Sequence, residues 1–101
     1  MRLGSVDIPL DEIKDFCRRW KVQELALFGS ALGKDFGPQS DVDVLVTFSP
    51  DAKPSLFDLG AMQQELEGMF GRHVDLVEKA GLRNPFRRKS ILSSKKVIYE
   101  A

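Results

Sequence analysis

The sequence predicts a small α/β (α+β) domain in which helices pack on a mixed sheet of three to four strands. Three observations carry this reading. Short apolar runs of strand length stand at Glu24–Phe28, Asp41–Phe48 and His73–Val77. Segments with apolar residues spaced by three and four lie before, between and after them. Turn-forming clusters such as Gly37-Pro38-Gln39-Ser40 and Ser49-Pro50 punctuate the joins. With 101 residues, a single domain covering 1–101 is expected.

The first helix is read from Leu10, Ile13, Phe16, Cys17 and Trp20. Asp7 or Ile8 is expected to cap it, with Pro9 near the first helical position, where a missing N–H costs nothing. Lys14, Arg18, Arg19 and Lys21 take the solvent side and suit the negative C-terminal end. Glu24-Leu25-Ala26-Leu27-Phe28 reads as a buried strand that ends in a tight turn at Gly29-Ser30. Residues 31–36 form a short helix or an irregular turn. Asp41 to Phe48 is the next strand. Ser55 then caps a second helix with an apolar stripe of Leu56, Leu59, Met62, Leu66, Met69 and Phe70. Gly60 and Gly68 weaken this helix without breaking it. His73-Val74-Asp75-Leu76-Val77 is a third strand, with Val74 and Leu76 on one face and His73, Asp75 and Val77 on the other. A basic amphipathic segment runs from Pro85 to Leu92, and Val97-Ile98-Tyr99 is a last short strand.

Composition narrows the function classes. Fifteen Lys and Arg balance fifteen Asp and Glu, so no global charge recruits nucleic acid or a membrane. The C-terminal region is basic, with Arg83, Arg87, Arg88, Lys89, Lys95 and Lys96 against Glu100; it reads as a solvated helix face. The single Cys17 excludes a disulfide framework within one chain and reads as a small buried apolar residue. Trp20 and Tyr99 read as packing anchors. Neither a signal peptide nor a membrane span is evident, so a cytoplasmic protein is expected.

The candidate chemistry lies in Asp41 and Asp43. Alternation along a strand puts both on one face, with Val42, Val44 and Val46 on the other. Their Cα atoms are then roughly 6.5–7 Å apart. Acids so placed can hold hard divalent cations, and without a cation they repel. Gly29-Ser30 ends the preceding strand, where a small backbone and a hydroxyl can approach phosphate oxygens. Asp75 lies on another short strand. If these strands are neighbours, three carboxylates converge beside the Gly-Ser turn, a site suited to metal-assisted phosphoryl or nucleotidyl transfer. His73, on the same face as Asp75, reads as a partly exposed strand histidine.

Leu27-Phe28-Gly29-Ser30 followed by Ser40-Asp41-Val42-Asp43-Val44-Leu45-Val46 resembles the signature of the DNA polymerase β-like nucleotidyltransferases. The likeness is closest to the minimal nucleotidyltransferases, which are stand-alone catalytic cores. It extends to Gly71-Arg72-His73-Val74-Asp75-Leu76-Val77, similar to the third-carboxylate strand of that group, and to the segment from Asn84 to Ala101. The resemblance implies the palm-like nucleotidyltransferase fold. It implies that Gly29 and Ser30 bind a triphosphate, and that Asp41, Asp43 and Asp75 ligate two Mg2+ ions, with Asp75 helping to deprotonate the attacking hydroxyl. The chain departs from its relatives at Gly33, where they commonly carry Arg. Lys34 is the candidate to supply that charge, as a point charge on a flexible stem.

The function implied is Mg2+-dependent transfer of AMP from ATP to a hydroxyl. The acceptor implied is a tyrosine of a toxic RNase of the HEPN class, with this chain as the antitoxin. Two alternatives stand beside it: neutralisation of the partner by binding alone, and nucleotidyl transfer to a small molecule, for which a homodimer could build an acceptor cleft. No membrane and no sequence-specific nucleic acid are expected as partners.

Overall fold

A computed structural model describes residues 2–3, 6–29 and 41–101, the first two by their backbone alone. The short helix or turn expected at 31–36 lies outside the described residues.

The chain opens with a two-stranded antiparallel pair that the sequence reading does not anticipate, β1 (Arg2–Leu3) and β2 (Val6–Asp7). Two-residue strands carry no alternation to read. Val6 and Ile8 are nonetheless buried and lead into α1 (Leu10–Arg19). Pro9 is the N-cap of α1, one position before the expected place, and no side chain caps the helix. Asp11 and Glu12 in the first turn and Arg18 and Arg19 in the last complement the helix dipole instead. Ile13, Phe16 and Cys17 form its buried face.

The sheet has the order β5-β4-β3-β6. Its strands are β3 (Val22–Phe28), β4 (Val42–Phe48), β5 (Val74–Glu78) and β6 (Lys96–Glu100). β3 runs antiparallel to both β4 and β6, whereas β4 and β5 are parallel. Parallel neighbours need a crossover, and α2 (Leu56–Phe70) supplies it. Its start is fixed by a capping box: Ser55 Oγ accepts from the Asp58 N–H, and the Asp58 carboxylate accepts from the Ser55 N–H. Its end is fixed by Gly71 in the left-handed conformation, φ 69°. The expected stripe holds for Met62 and Leu66, which are buried, and for Leu59, Met69 and Phe70, which pack against the core. It fails at Leu56, which is 86% exposed in the first turn, before the helix reaches the sheet.

Two apolar layers result. α1 and α2 cover one face of the sheet, with Leu25, Leu27, Val42, Val44, Val46 and Val74 beneath Ile13, Phe16, Met62 and Leu66. The other face carries Ala26, Phe28 and Leu45, covered by Leu82 and by Ile91 of α3 (Pro85–Ser94). Both faces of the central strands are therefore apolar, which is why Leu25-Ala26-Leu27-Phe28 and Val44-Leu45-Val46 are continuous rather than alternating runs. Asn84 caps α3 by accepting from the Phe86 and Arg87 N–H groups, and Pro85 takes the first helical position. Trp20 and Tyr99 both pack on the larger layer; the indole N–H of Trp20 also donates to Glu65 at 3.1 Å. Among the described residues, no helix is long and apolar enough to cross a membrane.

Candidate active site

The carboxylates are positioned by the register of three strands. On the parallel β4–β5 ladder Val42 pairs with Val74, and Asp43 pairs with Asp75. The two acids thus stand on adjacent strands, whose axes are roughly 4.8 Å apart. Both point to the face that bears Leu45 and Val77, the face covered by α3. On the antiparallel side Phe28 pairs with Asp43, so Gly29 lies immediately beyond that rung. Gly29 has φ +68°, a conformation that costs a side chain dearly. A Cβ added there would collide with Oδ2 of Asp43. Glycine is required at this point both by the turn and by the carboxylate lying against it.

Asp41 stands at the mouth of β4, exposed, one residue before the strand begins. Its Oδ1 is 3.4 Å from Nδ1 of His73. The other ring nitrogen of His73 is 3.6 Å from Oε2 of Glu67, and that same oxygen accepts from the Val74 N–H at 3.1 Å. The His73 carbonyl accepts from the Val42 N–H at 2.9 Å. His73 is exposed, as its sequence context suggests, and it sits beside the acids. Glu67 is passed over by the sequence reading because it looks like one more helix glutamate. Its place near the end of α2, just before the Gly71 turn, is the signal that it can reach back to the start of β5.

Gly29, Asp43 and Asp75 are therefore brought together, with Asp41 two residues along the strand from Asp43. Ser30, Lys34 and the Gly33 departure lie outside the described residues. Among the described residues, no group of three or more His, Cys, Asp or Glu side chains is placed to hold a metal ion together. An open site of hard carboxylate oxygens remains, half-buried at Asp43 and exposed at Asp41 and Asp75. That donor set fits Mg2+, which keeps several waters and takes one or two carboxylates together with substrate phosphates.

The profile of the nucleotidyltransferase domain family matches residues 10–98, which spans all three carboxylates and Gly29. The chain belongs to that family. It is 35% identical over 86 residues to the protein adenylyltransferase MntA of Thermococcus cleftensis, covering 85% of this chain and 82% of that protein. Its fold is shared with solved minimal nucleotidyltransferases. A toxin–antitoxin structure with AMP-PNP superposes with a TM-score of 0.73 at 20% identity, over 93% of this chain and 75% of the other. A complex of a tri-AMPylated Shewanella oneidensis HEPN toxin with an MNT antitoxin superposes at 0.65, with 20% identity, over 91% of this chain and 70% of the other. The sequence resemblance and the α/β nucleotidyltransferase fold both stand, and the chain is a minimal nucleotidyltransferase.

Proposed function

We propose that this chain is a protein adenylyltransferase that moves AMP from ATP to a tyrosine hydroxyl of a HEPN-type toxin and thereby acts as its antitoxin. The observation that carries the reading is the rung shared by Asp43 and Asp75 with the Gly29 backbone against Asp43. Relatives named as a protein adenylyltransferase and as an MNT antitoxin beside an AMPylated toxin support the choice of donor and acceptor.

Asp41, Asp43 and Asp75 would hold Mg2+, two ions on this reading. When bound, these ions neutralise the triphosphate and stabilise charge on the attacking and leaving oxygens. The backbone at Gly29, with Ser30 and Lys34, would seat the β- and γ-phosphates. Asp75, at the exposed edge of the sheet, would take the proton of the incoming hydroxyl. The tyrosine oxygen then bonds to the α-phosphorus as the bond to pyrophosphate breaks, leaving AMP on the acceptor. His73 and Glu67 hold the mouth of the site by bridging α2 to Asp41. A donor such as ATP accords with a cytoplasmic protein.

The test is transfer of labelled AMP, in ATP and Mg2+, to the product of the reading frame adjacent to this chain's, which is expected to be of the HEPN class. The Asp41→Asn, Asp43→Asn double variant is expected to abolish transfer while still binding that protein. Full neutralisation of toxicity by the double variant would replace catalysis with binding as the mechanism.

A further inference from the structure

Between Glu78 and Glu100 the chain carries no acidic residue, yet it carries Lys79, Arg83, Arg87, Arg88, Lys89, Lys95 and Lys96. The chain is neutral overall, so this segment and the remainder are oppositely charged. Two of these cations are engaged: Lys95 pairs with Glu24, and Arg88 donates to the Lys79 carbonyl at 3.4 Å. Arg83, Arg87 and Lys89 are exposed and have no ion-pair partner among the described residues.

Their placement is costly. Arg87 and Arg88 lie in the first turns of α3, which has no acid there. Cations at the positive end of a helix dipole destabilise it. α1, by contrast, places acids first and bases last. In the middle of the same patch Phe86 is 85% exposed. An aromatic ring flanked by arginines is the composition of a protein-interface anchor. One aromatic alone does not make the stacking platform that a single-stranded nucleic acid uses.

The patch also has a defined relation to the carboxylates. α3 covers the face on which Asp43 and Asp75 stand, and its Ile91 packs with Phe28 and Leu45, which flank Asp43 on the ladder. Phe86 lies about 7.5 Å further along the helix. A partner seated on Phe86 and Arg87 is therefore on the side of the sheet to which the acids point.

We infer that Arg83 together with the exposed side of α3 (Phe86, Arg87 and Lys89) is the surface on which the acceptor protein docks, through an acidic patch with an apolar socket for Phe86. This rests on the adenylyltransferase reading, since it takes the AMP acceptor as the occupant. Charge complementarity selects an acidic protein; the lone Phe selects a protein over a polynucleotide.

The test compares the full-length chain with Arg87→Glu, with Arg83→Glu/Arg87→Glu/Lys89→Glu, and with Phe86→Ala. The probe is the product of the adjacent reading frame, which the adenylyltransferase reading expects to be of the HEPN class. Calorimetry is expected to show at least about a tenfold loss of affinity for the triple variant, and a flatter salt dependence. Binding of Mg2+ and ATP is expected to stay unchanged, KM for the acceptor to rise and kcat to hold. Arg87→Glu is expected to keep or raise Tm, because it reverses the dipole mismatch, so misfolding cannot mimic the result. Unchanged acceptor affinity in the triple and Phe86→Ala variants overturns the inference. So does loss of binding to a single-stranded RNA with acceptor binding intact, which makes the patch a nucleic-acid surface. Failure of AMP transfer in wild type, with acceptor binding still sensitive to the reversals, overturns the adenylyltransferase reading and leaves the docking surface in place.

Discussion

Asp43 and Asp75 are direct partners on the parallel ladder between β4 and β5, and the Phe28–Gly29 end of β3 closes against Asp43 from the other side. On the proposed function, losing one of these acids removes a metal ligand. Asp43→Asn and Asp75→Asn are each expected to lower AMP transfer by more than about a hundredfold, since even groups that only orient ligands cost 10- to 100-fold. Circular dichroism should show an unchanged fold, because neither acid lies in the apolar layers.

Gly29→Ala tests the closeness of backbone and carboxylate. The left-handed φ costs an alanine about 1–2 kcal/mol, and the new methyl must also displace the Asp43 carboxylate. Urea denaturation should show a loss of at least that size. Isothermal titration should show weakened Mg2+–ATP binding in the same variant.

Cys17 is fully buried, and that burial pushes its thiol up to about 12. A thiol-specific disulfide reagent is expected to leave the native protein unmodified at pH 8 and to react at once in denaturant. Fast reaction under native conditions would mean that α1 opens readily from the sheet.

Arg19 Nη1 lies 3.0 Å from Glu65, and the indole of Trp20 donates to the same carboxylate. The hydrogen bond from Arg19 is the largest cause holding the Glu65 carboxyl below its ordinary range, and burial opposes it. A carboxyl lowered on folding contributes stability that is complete above its unfolded value, about 4.3. That contribution drains away as pH falls from there through the lower folded value. Glu65→Gln should therefore be slightly less stable than wild type at pH 7 and should lose less on acidification. Parallel acid-denaturation curves for the two proteins would refute the linkage.

Leu45 is buried beneath α3, on the face that bears the acids. Leu45→Ala is expected to destabilise by about 2–5 kcal/mol. Chemical denaturation monitored by Trp20 fluorescence measures it.

The elements were legible wherever a strong local rule governed them. Ser55 marked the start of α2, and Asn84-Pro85 stands where α3 begins. The alternation of Asp75 with Val74 and Leu76 put that acid on the correct face of β5. What local pattern could not supply was pairing. Nothing within Asp41–Phe48 or His73–Val77 states that Asp43 meets Asp75; that follows from register between distant segments, fixed by the length and caps of α2. Leu56 misled because helical spacing continues into a turn that overhangs the sheet. The β1–β2 pair escaped because its strands are too short for any period to appear. Glu67 and its bridge through His73 to Asp41 escaped for the same reason as the rung: the contact joins the last turn of a helix to strands that lie far away in sequence.

The crossover through α2 also sets a schedule. Synthesis proceeds from the N-terminus, and β5 follows α2 in the chain. A nascent polypeptide that has paired β3 with β4 holds Gly29 and Asp43 in place but lacks the opposing acid. Asp75 arrives only when α2 has laid itself across the sheet and Gly71 has turned the chain back. The pairing of Asp75 with Asp43 is thus withheld until the βαβ unit closes.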